Sequence, residues 1–199
     1  MDPRSDEKLL ADHLDGESGA FDCLVARYSR ELYGFLCRFV TDTNAAEDII
    51  QDAFIQVHLA ACSFDGSRSF RPWLYTIAAN KARDYLRSRG RRRHYSLDSY
   101  GSNDDGPAPS QIIEAEDKPL PEVIDREERK SAVRRQIEHM PEHLKLILTL
   151  GYFQQLPYAE IAEILDIPVG TVKSRLHAAV NCFAKLWREQ TEVGSNNEP

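Results

Sequence analysis

Apolar residues recur every three or four positions along most of the chain, the spacing expected for one buried face of an α-helix. In the first ninety or so residues this spacing forms three long runs, which begin near Phe21, Ile49 and Phe70. No stretch alternates apolar and polar residues in the manner of a half-buried strand. An all-α fold is therefore predicted, and the three runs are long enough to close a core.

Local signals place several helix boundaries. A short helix is predicted near Glu7 to Leu14. The third helix is predicted from Asn44 to about Ala61, because Asn44 and Glu47 have the spacing of a capping box. After the run that starts at Phe70, the stretch from Asp98 to Pro121 contains Gly- and Pro-flanked polar clusters and no sustained period, which is typical of a linker.

Helical spacing then returns at about 125–139, Pro141 forces a break, and the next helix carries Leu144, Ile147 and Leu148. Two further helices are predicted at 158–165 and from 169 to about 188. The sequence thus predicts a four-helix N-terminal domain and a C-terminal four-helix domain with a helix-turn-helix, joined by a flexible acidic linker. The predicted boundaries are 1–95 for the first domain, 96–124 for the linker, 125–190 for the second domain and 191–199 for a disordered tail.

The net charge of −7 taken alone argues against a nucleic-acid partner, but the charges are segregated. Between Lys81 and Tyr95 the sequence has seven Lys or Arg and one acidic residue. Between Ile167 and Arg188 it has four Lys or Arg and no acidic residue. Between Leu97 and Glu128 it has ten acidic residues and two Lys or Arg. Two basic segments thus flank one acidic segment, so two separate surfaces remain candidates for binding nucleic acid.

The segment 157–180 has the pattern of a helix, a tight turn and a second helix packed across it. The second of these helices has an inward apolar face, and its outward face carries polar and basic residues. Such a helix fits the DNA major groove, where Arg or Lys can bind guanine. The outward face presents Thr171, Lys173, Ser174, Arg175, His177 and Asn181, which indicates a DNA recognition helix; the alternative is a helical hairpin with a solvated basic face.

Two features of the first domain exceed what packing requires. The third predicted helix begins with a group of acids, and Asp52 lies beyond the turn in which acids favour the helix dipole. An acidic, partly apolar helix face suits a basic partner helix. The fourth predicted helix interleaves aromatic and basic residues, as expected where unpaired bases stack, although Phe70 and Trp73 are expected in the core.

Taken together, the segments 46–54, 70–87 and 140–176 resemble the bacterial RNA polymerase sigma factors of the extracytoplasmic-function (ECF) group. The resemblance implies that core RNA polymerase binds to Glu47, Asp48, Gln51, Asp52 and Phe54. It implies that the minus-ten promoter element binds near the loop 63–69, at Ser69, Asn80, Lys81, Arg83 and Arg87. It also implies that Thr171, Lys173, Ser174, Arg175 and His177 contact the minus-thirty-five element, and an anti-sigma factor becomes an expected partner.

Two departures from the family pattern lie in the helix-turn-helix. Pro157 stands where family members commonly have Ser or Thr, so the side-chain cap of the first helix is lost, although Pro suits the first helical position. Asp166 stands where the turn usually has Gly, and Asp tolerates a positive φ better than most residues. We expect the turn to form at some energetic cost.

Two other function classes compete with this interpretation. His139, Glu142 and His143 match the H-x-x-E-H pattern of zinc peptidases, but Pro141 would interrupt the helix that such a site requires. A helix-turn-helix regulator without activity on the polymerase is the stronger alternative. The sequence contains no other recognisable set of catalytic residues, so we expect a non-enzymatic protein without metal or cofactor. The charged N-terminus and the lack of a long apolar run predict a cytoplasmic location.

Overall fold

The computed structural model describes residues 2–97 and 131–195, and within these ranges all regular structure is helical. This confirms the predicted all-α fold. The first module contains four α-helices and one 3-10 turn at Ala61–Ser63. Its helices are α1 (Asp6–Leu14), α2 (Ala20–Val40), α3 (Thr43–Ala60) and α4 (Phe70–Leu97).

The second module contains α5 (131–138), α6 (Glu142–Leu148), α7 (Tyr158–Leu165) and α8 (Val169–Ser195). A π-helical segment, Thr149–Phe153, continues α6. Its α8 ends later than predicted, so residues 191–195 of the expected tail are helical. The start of the predicted helix at 125 and residues 98–124 of the predicted linker lie outside the described residues, whereas residues 96 and 97 belong to α4.

The core of the first module forms because each helix buries one apolar face against α2. Along α2 the fully buried side chains follow helical spacing, and they include Leu24, Leu32, Phe35, Leu36 and Phe39. The α1 helix adds Leu9 and Leu10, which are also fully buried. Four helices around one shared apolar interior make a stable base from which loops and exposed faces can project.

The start of α4 is fixed by a residue from the other end of the module. The backbone N–H of Phe70, the first residue of α4, donates a hydrogen bond to Glu7 Oε1 at 2.9 Å. Burial raises the pKa of Glu7, but this N–H and the other donors around the carboxylate outweigh it, so its pKa lies below the usual range. A charged group at the N-terminus of α4 also favours the helix dipole.

The cap of α3 differs from the sequence prediction. Asp42, and not Asn44, is the N-cap residue, and its carboxylate accepts a hydrogen bond from the backbone N–H of Ala45 at 3.1 Å. The same carboxylate accepts a hydrogen bond from the Tyr85 hydroxyl at 3.0 Å. The predicted capping box of Asn44 and Glu47 was wrong because Asn44 already lies in the first turn of α3, two residues after the N-cap residue Asp42.

We predict that Asp42→Ala lowers the free energy of unfolding by about 2 kcal/mol, since it removes an N-cap and the partner of the Tyr85 hydroxyl. The Ala45 N–H, the Tyr85 hydroxyl and Arg89 hold the pKa of Asp42 below its usual range. Its contribution is therefore present above the unfolded pKa of about 3.9 and decreases as pH falls through the folded pKa. Urea unfolding at pH 7, 4 and 3 measures this. Asp42→Asn, which keeps a capping side chain, is the control, and a change in Asp42→Ala below about 0.5 kcal/mol would contradict it.

In the second module, Pro141 separates α5 from α6, as predicted, and takes an extended conformation with φ −54° and ψ 138°. The π-helical segment then turns Leu150 into the core and leaves Tyr152 exposed. Gly151 permits close packing here, because a Cβ at this position would lie 3.0 Å from Leu176 Cδ1 of α8. This contact sets the distance between the segment and α8.

Candidate nucleic-acid interface

The turn between α7 and α8 is built as the sequence predicted. Asp166 adopts a left-handed conformation with φ 51°, which is the conformation that glycine would accommodate most easily. The N–H of Ile167 donates to the Ala162 carbonyl at 3.0 Å and closes the end of α7. The carbonyl of Pro168 then accepts from the N–H groups of Thr171 and Val172, so only three residues separate the end of α7 from the start of α8.

The face of α8 that was predicted to bind DNA is turned outward. Lys173, Ser174, Arg175 and His177 are exposed, while Thr171 is half-buried. On the opposite face Val172 is fully buried. Further along, Ala179 is buried and Val180 is 46% exposed, so Ala179 and not Val180 continues the inward face. The outward side of the first two turns of α8, with Lys173, Ser174 and Arg175, is free to enter a groove.

The basic part of α4 presents a second outward surface. Asn80 and Arg87 are exposed, whereas Lys81 and Arg83 are half-buried. Arg83 donates to Asn80 Oδ1 at 2.8 Å, and Arg87 pairs with Asp84 at 3.2 Å. These contacts stay within one helix, so they orient the side chains along α4 and consume little of their capacity to bind a phosphate.

The loop before α4 is ordered by its own polar residues. Asp65 accepts hydrogen bonds from the backbone N–H and the hydroxyl of Ser67, and Ser69 is exposed at the entrance to α4. Beneath the loop, Phe64 packs on Trp73 with a centroid separation of 4.8 Å, and Phe70 is fully buried. The expected core placement of Phe70 is confirmed, and Trp73 is half-buried beside it.

The acidic face of α3 is also exposed, with one correction. Glu47, Asp48, Gln51 and Asp52 are all exposed. Phe54 is not part of this surface, because it is only 6% exposed and packs edge-on to Phe21 at 6.3 Å. Phe54 lies two residues after Asp52, about 200° around the helix, and therefore points into the core.

Sequence reasoning missed the apolar continuation of this face. Ile55 is 57% exposed and Leu59 is 70% exposed, and both follow Gln51 at intervals of four residues. The signal was present, since 51, 55 and 59 share one helical face. Both side chains are apolar, and the sequence alone gives no reason to place apolar side chains on an exposed surface.

The zinc-peptidase pattern does not form a site. His139 lies after the end of α5 and His143 lies in α6, so the two histidines belong to different helices. Both histidines and Glu142 are exposed. Within 2–97 and 131–195, no three His, Cys, Asp or Glu residues are grouped closely enough to hold a metal ion.

Comparison with known proteins assigns the chain to a family. Residues 24–92 match the model of sigma-70 region 2, and residues 130–182 match that of sigma-70 region 4. The chain is 37% identical over 181 residues to the RNA polymerase sigma-H factor of Pseudomonas aeruginosa, covering 90% of this chain and 92% of that protein. The chain belongs to the RNA polymerase sigma factors.

The relatives also place it in the ECF group. It is 37% identical over 178 residues to the ECF RNA polymerase sigma-E factor of Escherichia coli, covering 88% of this chain and 90% of that factor. Among solved structures, CnrH in complex with the cytosolic domain of CnrY has a TM-score of 0.68 at 22% identity and covers 94% of this chain and 99% of that chain. The sigma factor RpoE of Bartonella quintana with the anti-sigma factor NepR has a TM-score of 0.65 at 20% identity, covering 85% and 98%. At these identities, the structural matches show a shared fold.

Within this sigma factor, the two family segments correspond to the two modules. The region 2 match begins in α2 and ends in α4, and so contains both the acidic face and the basic part of α4. The region 4 match contains the whole helix-turn-helix and the first half of α8. The α1 helix lies before the region 2 match, although its residues are part of the same core.

Proposed function

We propose that this sigma factor binds core RNA polymerase through the exposed face of α3 and directs promoter-specific initiation with two DNA-binding surfaces. In this proposal α8 reads the minus-thirty-five element, and α4 with the preceding loop opens the minus-ten element. The observation that carries the proposal is that one chain exposes an acidic helix face and two separate basic surfaces. A protein that only binds an operator needs just one of these three surfaces, a basic one for DNA.

The chemistry of α8 supports recognition of duplex DNA. Lys173 and Arg175 are exposed on the first turns, where free backbone N–H groups also favour a phosphate. Arg175 and Lys173 can each donate to guanine O6 and N7. Ser174 donates to the Thr171 carbonyl at 3.1 Å, which fixes its hydroxyl near the same surface.

The chemistry of α4 supports the capture of an unpaired base. The loop 63–69 and the exposed Asn80 provide polar groups, while Lys81, Arg83 and Arg87 provide positive charge. Extruding a base costs a few kcal/mol of stacking, which contacts in a pocket must offset. Ser69 lies at the junction of the loop and α4, where a flipped base would meet both elements.

We predict that Asp52→Ala weakens binding to core polymerase about five- to tenfold, because it removes one exposed charge from a proposed electrostatic interface. Fluorescence anisotropy with labelled sigma factor and purified core enzyme measures this. Stability should be unchanged, since Asp52 is exposed. Asp22→Ala, which removes an exposed acid from α2, is the matched control. Equal affinities for the two variants would remove Asp52 from the interface.

The deciding experiment is in vitro transcription with core polymerase and a promoter library, followed by mapping of the start sites. We expect the added protein to direct initiation from a defined set of promoters. Tight binding to operator DNA without promoter-specific initiation would favour the alternative of a simple helix-turn-helix regulator. The role is one of binding and positioning, and the proposal includes no catalytic residue.

An anti-sigma factor is a proposed partner, in line with the complexes named for CnrH and for RpoE of Bartonella quintana. We propose a cytoplasmic location, where the polymerase and promoter DNA are found. Across the two described ranges, no helix has both the length and the apolar character that are needed to cross a bilayer.

A further inference from the structure

Two histidine side chains meet where the ends of α1 and α3 converge. His13 Nε2 and His58 Nδ1 lie 2.9 Å apart, and the two ring centroids are separated by 5.0 Å. His13 is half-buried and His58 is exposed, so the pair is accessible from solvent. Neither histidine belongs to the DNA-binding or polymerase-binding surfaces of the proposed function.

An aromatic residue of α2 supports both imidazole rings. The ring centroid of Phe21 lies 4.8 Å from that of His13 and 5.7 Å from that of His58. Phe21 in turn packs edge-on to the buried Phe54, at a centroid separation of 6.3 Å. Because the rings rest on a residue that is itself packed on the core, less conformational entropy is lost when both bind one ligand.

The electrostatics at this position favour a bound cation. His13 lies in the last turn of α1, and His58 lies in the last turn of α3. The carbonyl groups at the C-terminus of a helix carry a partial negative charge, and the histidine contact brings two such ends together. A cation held between the two rings would therefore interact favourably with both helix dipoles.

The separation of the two nitrogens suits one transition-metal ion. A metal–nitrogen distance of about 2.05 Å and a cis angle of about 90° place two ligand nitrogens about 2.9 Å apart, which is the separation between His13 and His58. That angle belongs to the square-planar and tetragonal geometries of Cu²⁺ and Ni²⁺. Tetrahedral Zn²⁺ requires about 3.3 Å, so the rings would have to move apart. The geometry thus favours Cu²⁺ or Ni²⁺ over Zn²⁺.

A neutral histidine pair can bind such an ion without a net loss of protons. In the metal-free pair, one of the two facing nitrogens carries the hydrogen and donates it to the other. A metal ion needs a lone pair on both facing nitrogens, so the donor ring moves its hydrogen to its other nitrogen. The rings must also turn slightly so that both lone pairs point at the ion, and the exposed ring of His58 has room to do so.

Water completes the coordination in such a site. Within the described parts of the chain, no three His, Cys, Asp or Glu side chains are grouped to hold a metal ion, so the pair has no third protein ligand there. Cys62 is exposed and follows His58 by four residues, and it is the side chain to test as a rival ligand. With two protein ligands and several waters, the ion should exchange readily with the solvent.

We propose that His13 and His58 form a binding site for a divalent transition metal of the Cu²⁺ and Ni²⁺ class, which joins the end of α1 to the end of α3. The site is additional to the proposed function and does not depend on it. It departs from the sequence-based expectation of a protein without metal, because 45 positions separate the two histidines and no motif connects them.

The first test titrates the tag-free full chain with nickel chloride in a calorimeter, and we expect one ion per chain. His13→Ala and His58→Ala should each weaken the affinity at least about tenfold, since even the loss of an outer-shell partner costs about 10- to 100-fold. His143→Ala, which removes an exposed histidine from α6, is the matched control. It and Cys62→Ser should bind as the wild type does. A loss in either of these two, or none in the first two, overturns the proposal.

The second test measures thermal unfolding with and without metal. Ni²⁺ at about 100 times its dissociation constant should raise the unfolding midpoint of the wild type by about 5 °C or more, because the ion binds the folded pair. His13→Ala and His58→Ala should lack this shift, and their metal-free midpoints show whether they are folded. No shift in the wild type, or an equal shift in His13→Ala, would overturn the proposal. Neither test involves polymerase or DNA, so a failure of the proposed function would leave the metal site standing.

Discussion

Replacing Lys173 and Arg175 together with alanine should reduce promoter-specific transcription about 30-fold or more. Each of these cations can make one specific contact of about 1 to 3 kcal/mol with a base, and the two losses combine because both residues face the same groove. Both are exposed on the outward side of α8, so the loss should arise from DNA binding and not from unfolding. Runoff transcription from a mapped promoter measures it.

The matched control is Lys185→Ala, which removes an exposed cation from the same helix three turns further on. Its activity should stay within about twofold of wild type, since only the first turns of a recognition helix reach base edges. The salt dependence of promoter binding gives an independent check, because each lost phosphate contact lowers the slope by about 0.9. If the double variant transcribed as well as Lys185→Ala, α8 would not read the upstream element.

Phe54→Ala should lower the free energy of unfolding by about 3 kcal/mol, which is close to the cost of emptying a buried aromatic site. The side chain is 6% exposed and packs against Phe21, so its removal leaves a cavity between α2 and α3. Chemical unfolding followed by circular dichroism measures this. The change would also reduce activity, but through loss of folded protein.

The comparison with Asp52→Ala separates the two roles. Asp52 lies two residues before Phe54, and its substitution should weaken polymerase binding while leaving the unfolding midpoint unchanged. Phe54→Ala should lower the unfolding midpoint. At low temperature, where most of this variant is still folded, its polymerase binding should be unchanged. A Phe54→Ala variant with wild-type stability and weak polymerase binding would return Phe54 to the docking surface.

The sequence predicted helices best where a long apolar stripe faced a single core. The bounds of α7 and the start of α8 matched the prediction, because a turn with Asp166 and Pro168 leaves few alternatives. The start of α3 was wrong by one residue and its cap by two, since both Asp42 and Asn44 are good capping residues. The positions of Tyr85 and Arg89, both distant in sequence, favour Asp42.

The exposed acidic and basic surfaces could be predicted because in each segment the charged side chains of one sign outnumber their local partners and stay in solvent. Phe54 could not be assigned in this way, because one aromatic residue next to an acidic face fits either a docking surface or a core. The contacts of Arg68 with Glu163 and of Arg71 with Glu160 join residues about ninety positions apart. No periodicity within one helix reports a contact of that kind.

The hydrogen bond from Phe70 to Glu7 has a consequence for how the first module can be isolated. The region 2 match starts at residue 24, so a fragment cut there would lose α1, including the fully buried Leu9 and Leu10. It would also leave the first peptide group of α4 without its anchor. Fragments intended for binding studies with oligonucleotides should therefore begin ahead of Ser5, which caps α1.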